Sequence, residues 1–177
     1  PEQVFDGDVF LFCASRMVPD TSVTGGDVLG TVDLDTYTAM VRGIAAAQLE
    51  GVTLCGHNPH PEKAKELAKQ CGLRLLPSNQ AVLDASDVVV LAVKPQILEG
   101  VLAELAPPSG RLFISVAAGK ELAWLEARLG QAAIIRVMPN INAVVGASVT
   151  GWCANDAVSD EQKVLAATLL GTFGTAG

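Results

Sequence analysis

Three short segments stand out as places where chemistry could be done: Ala92-Val93-Lys94-Pro95-Gln96, Ser115-Val116-Ala117-Ala118-Gly119 and Arg136-Val137-Met138-Pro139-Asn140. The small side chains at 117–119 let a flat ligand approach the backbone, and Lys94 can place a charge beside a phosphate. Asn79 and Asn140 offer an uncharged donor and acceptor to a ribose or an amide. Taken singly, these residues also suit ordinary strand-to-helix turns, a solvated lysine and turn-forming asparagines. His57 and His60 flank Asn58-Pro59, where a doubly wound domain holds an adenosine ribose. No acidic residue stands there, which disfavours recognition of a free 2'-hydroxyl. His57, Asn58, His60 and Lys63 could accept a 2'-phosphate, or could cap a helix beginning at Pro61.

Other chemistries find little support. Both histidines fall in one turn and no GxSxG is present, so a nucleophile with its base is not visible. Paired carboxylates for glycoside chemistry cannot be placed. Cys13, Cys55, Cys71 and Cys153 form no CxxC pair, so neither a metal site nor a redox motif is indicated.

The candidate segments need a scaffold that brings them to one place. Val88 to Val93 is a continuous β-branched apolar run closed by Lys94-Pro95, as expected of a central parallel strand ending by Lys94. Residues 112–116 and 133–138 read the same way, and helices are predicted over 61–71, 79–85, 96–105 and 120–129. Further strands are predicted at 52–56, 73–76 and 147–154. A helix is predicted over 36–49, and another from a capping box at Ser159 to about Leu170. Within the first 35 residues, 9–12 and 27–32 read as short strands. This alternation implies an α/β fold, a doubly wound, mainly parallel sheet whose carboxyl edge gathers the three segments.

The chain has 177 residues, is 50% hydrophobic and carries a formal net charge of -7, which suits one buried domain and opposes nucleic acid or an anionic membrane as partner. Free thiols suit a reducing cytosol, so a cytoplasmic location is expected. No apolar run approaches the roughly 20 residues of a membrane span, and no signal peptide opens the sequence.

LAVKPQ, SVAAG and RVMPN in this order, with the tail NINAVVGASVTGWCAND, resemble the nucleotide-binding half of pyrroline-5-carboxylate reductase. The likeness runs from about Ala39, in AMVRGI, to Gly177. It implies a Rossmann-like NAD(P)-binding domain over 36–177, preceded by an atypical segment over 1–35. It further implies reduction of 1-pyrroline-5-carboxylate to L-proline with NADP or NAD as cofactor. By the same resemblance, Ala92, Val93, Lys94 and Pro95, with Val116, Ala117 and Ala118, border the nicotinamide and pyrophosphate. Asn79 matches a cofactor contact, Asn58 and His60 fall at the 2'-phosphate, and Met138 to Asn140 lie toward the substrate.

Two departures stand out. The family's GxGxM loop, where only glycine lets backbone approach the pyrophosphate, is replaced by Thr31-Val32-Asp33-Leu34-Asp35-Thr36. The family's C-terminal helical domain, which forms the dimer and binds the substrate carboxylate, has no counterpart, so the full protein is expected to be a homo-oligomer and this part alone inactive. Two further readings are a non-catalytic module that keeps the fold and another NADP-dependent reductase with a similar first domain.

Overall fold

The computed structural model describes residues 9–12, 40–58, 61–93, 95–106, 109–138 and 148–176. The strands are β1 (Val9–Phe12), β2 (Cys55–Gly56), β3 (Arg74–Leu75), β4 (Val88–Leu91), β5 (Leu112–Ser115), β6 (Ala133–Met138), β7 (Ser148–Ala154) and β8 (Gly174–Ala176). The helices are α1 (described over 40–47), α2 (Pro61–Cys71), α3 (Asn79–Asp84), α4 (Pro95–Ala103), α5 (Leu122–Leu129) and α6 (Asp160–Leu170).

Hydrogen bonding orders the main sheet β1-β4-β5-β6-β7-β8, while β2 and β3 pair with each other and β2 abuts β1. The parallel strands thus follow the order 3-2-1-4-5-6 of a doubly wound fold. The expected 9–12 strand is β1, seated against β4. The expected 27–32 strand lies outside the described residues.

Alternation along each strand sorts the core into two layers. Val88, Val90, Leu112, Ile114, Ile135 and Val137 face Met40, Val41 and Ile44 of α1 and Leu169 and Leu170 of α6. Val89, Leu91, Phe113 and Ile134 face Leu83 of α3, Leu98 and Leu102 of α4 and Leu125 of α5. Both sides being covered explains why β4 and β5 are apolar at every position.

Local chemistry sets the element ends. Ser159 caps α6 in a reciprocal capping box with Gln162, Ser78 caps α3, and Gly130 ends α5 at φ 67, a backbone angle that favours glycine. Asn155 extends the sheet with its side chain: Oδ1 accepts from Ile134 N and Nδ2 donates to Ala132 O, each at 3.0 Å.

Three features depart from the expected pattern. β4 stops at Leu91 because Ala92 and Val93 already turn toward Pro95, whose fixed φ opens α4. β7 is antiparallel to β6, since the connection 139–147 is shorter than the dozen or so residues of a parallel crossover. β8, formed by GTA, has no periodicity to announce it and exists through pairing with β7. No helix among the described residues is long and apolar enough to cross a membrane.

Candidate functional site

Register decides where the strand-end turns lie. Phe12, Leu91, Ser115 and Arg136 are successive partners across β1, β4, β5 and β6, so β4, β5 and β6 end on the same carboxyl edge and the turns after β4 and β5 share it. Ala92 and Val93 are buried there and Pro95 is half-buried at the start of α4. Val116 is half-buried, Ala117 is buried and Ala118 is exposed. The Ala117 N–H donates to Ser115 Oγ at 3.4 Å, and Gly119 turns the chain away at φ 70. Lys94, Pro139 and Asn140 lie outside the described residues, but their neighbours Val93 and Met138 are on this edge.

Two more candidates follow β2 and β3. Asn58 is half-buried just beyond β2, next to His57, whose Nδ1 donates to the Leu76 carbonyl at 3.0 Å. A carbonyl only accepts, so the hydrogen sits on Nδ1 and Nε2 is the nitrogen left for another partner. His60 lies outside the described residues. Asn79 opens α3, which abuts β1 and β2, and its Oδ1 is buried with no hydrogen-bond partner among the described residues. A buried acceptor without a donor is uncommon, and a ribose hydroxyl would satisfy it.

The edge has small residues where a flat group must approach, a buried acceptor without a donor, and a fixed histidine tautomer. Close backbone approach and an acceptor for a ribose hydroxyl fit a dinucleotide. Reasoning from the sequence assigned no role to Arg136, although it is the one charge in the apolar strand AIIRVM.

Two other clusters stand apart from this edge. Arg128 binds Glu99 at 2.5 Å and lies 3.7 Å from the Trp124 ring centre, with Lys120 at 4.3 Å from the same ring, tying α4 to α5. The hydrogen bond and charge of Arg128 hold the exposed Glu99 carboxyl below its ordinary range. Arg128→Met should return the Glu99 titration to that range, read by NMR. A depressed carboxylate contributes stability above its unfolded value and loses it as pH falls through the folded one, so this variant should flatten the acid limb of the stability curve. A cavity of about 210 Å³ among Ile44, Leu49, Val52, Leu54 and Cys71 sits at the opposite, amino edge. Burial pushes the Cys71 thiol up, so it is no ready nucleophile. Among the described residues no group of His, Cys, Asp and Glu could hold a metal ion.

Parallel order 3-2-1-4-5-6, two helical layers and a carboxyl-edge site define a Rossmann-like nucleotide-binding domain. Residues 35–119 match the family "NADP oxidoreductase coenzyme F420-dependent". The pyrroline-5-carboxylate reductase of Synechocystis sp. is 40% identical over 117 residues, covering 66% of this chain and 44% of that protein. The Coxiella burnetii pyrroline-5-carboxylate reductase superposes with a TM-score of 0.75 at 27% identity, covering 97% of this chain and 58% of that one. The Plasmodium falciparum pyrroline carboxylate reductase, solved with NADP bound, shares the fold at a TM-score of 0.75 and 23% identity, covering 99% and 58%. The chain is similar in sequence and in fold to the pyrroline-5-carboxylate reductases. It spans about half the length of the curated relatives it matches.

Proposed function

We propose that this chain is the cofactor-binding part of an NAD(P)H-dependent reductase that converts 1-pyrroline-5-carboxylate to L-proline in proline biosynthesis. The observation that carries the reading is that the segments LAVKPQ and SVAAG, which resemble those of the reductases, follow neighbouring parallel strands in register and so share one edge. The family match supports NADP as the cofactor.

Ala92, Val93, Lys94 and Pro95, with Val116, Ala117 and Ala118, border the nicotinamide and pyrophosphate. Asn79 donates or accepts at a ribose, and Asn58 and His60 meet the adenosine 2'-phosphate. A bound dinucleotide would be the hydride source for the imine carbon, and the residues of the 92–95 and 116–118 turns would hold it in place and exclude water. Residues 1–35 form an atypical segment ahead of the nucleotide-binding domain over 36–177. The complete protein is cytoplasmic, acts on a small molecule and is a homo-oligomer.

The test is NADPH-dependent reduction of 1-pyrroline-5-carboxylate by the product of the complete reading frame, with calorimetric titration of the 177-residue chain alongside. Micromolar binding and turnover are the expected results. Folded protein without turnover, and without binding at millimolar cofactor, would leave a non-catalytic module, a reading that Asp33 and Asp35 in place of the glycine loop favour.

Asn79→Ala should separate two effects. It removes a buried acceptor that has no donor, so the unliganded chain should be as stable or about 1 kcal/mol more stable in urea. Cofactor affinity should fall about tenfold, the worth of one buried hydrogen bond.

A further inference from the structure

Arg136 stands near the carboxyl end of β6, between Ser115 of β5 and Cys153 of β7 in register. Alternation turns these three toward the layer of α3, α4 and α5, yet cover runs out here: Met138 is 50% exposed and Cys153 is exposed. A guanidinium has five donors and no acceptor. Among the described residues Nε of Arg136 is buried without a partner, and Nη2 donates to no acceptor but the Met138 sulfur at 3.2 Å, a weak one. Other arginines are better supplied: Arg128 binds Glu99 and the Trp124 carbonyl, Arg42 binds Gln70, and Arg111, whose Nε is also orphaned, pairs with Asp87.

A half-buried cation facing a thioether, on the edge where the Ala117-Ala118 turn opens, lacks an oxyanion. We infer that Arg136 is the oxyanion-binding residue of this edge, its planar fork taking a phosphate of the dinucleotide or the carboxylate of the small substrate. The choice of ligands rests on the proposed function; the unmet donors do not. Lysine would supply charge without the fork, so Arg136→Lys should recover only part of the binding.

The 177-residue chain, Arg136→Met and Arg136→Lys are titrated calorimetrically with inorganic pyrophosphate, NADP+ and L-proline. Methionine has nearly the same shape and removes the orphaned donor, so its melting temperature should not fall. Arg136→Met should weaken at least one ligand about tenfold. Loss limited to pyrophosphate and NADP+ identifies a phosphate, and loss limited to L-proline identifies the carboxylate. Equal binding of all three by wild type and Arg136→Met, or no binding of any by the unaltered chain, overturns the inference. Arg136-dependent pyrophosphate binding without NADP+ binding would keep it while removing the cofactor reading. NADP+ binding indifferent to Arg136, with pyrophosphate and L-proline equally indifferent, would do the reverse.

Discussion

Ala118→Glu is expected to weaken NADP+ binding by about 2 kcal/mol, roughly thirtyfold, while leaving the fold intact. Ala118 is exposed in the turn after β5, so a larger side chain meets solvent and stability should change by no more than about 0.5 kcal/mol. The added carboxylate would stand on the rim where the proposed pyrophosphate approaches, and like charges a few ångströms apart at a protein surface repel by a few kcal/mol. Ala118→Gln has the same bulk without the charge and should lose much less. Calorimetric titration of both variants at low salt is decisive. Equal affinity for the wild type and both variants would remove the 116–118 turn from the binding slot.

Phe113→Ala should cost about 3–5 kcal/mol. Phe113 is fully buried in β5, and its register partners Val89 and Ile134 are as deeply buried. Leu98 of α4 and Leu125 of α5 belong to the same layer, so truncation leaves a void walled by strands on both sides and helices above. Against the 5–15 kcal/mol of a typical domain this is a large share. The melting temperature of a chain this size should fall by roughly 10 °C. A urea midpoint within error of wild type would mean that this layer is loosely packed.

Much of the scaffold was legible because its signals are local. α2 begins at Pro61 and ends before Gly72, and α6 starts after the Ser159 capping box; each boundary depends on residues within one helical turn. β6 matches its expected span, Ala133–Met138, since an apolar run with turn signals on both sides leaves little choice. β8 was illegible because GTFGTAG has no apolar alternation and gains its hydrogen bonds only from β7. The site was partly legible for the same reason. Small residues after an apolar run announce a tight turn, whereas the orphaned Oδ1 of Asn79 and the thioether-bound Arg136 depend on what fails to reach them.

By itself the sequence determined the alternation of strands and helices, the caps that end them, and the small residues that mark the turns after β4 and β5. These follow from periodicity, proline and glycine geometry, and hydrogen bonds between near neighbours. Only the tertiary structure decided that β1 lies between β2 and β4, that β7 runs against β6, and that one half-buried guanidinium meets no oxygen among the described residues. Strand order and unmet donors are set by contacts between residues far apart in the chain, where loop closure and burial, not local preference, control the free energy.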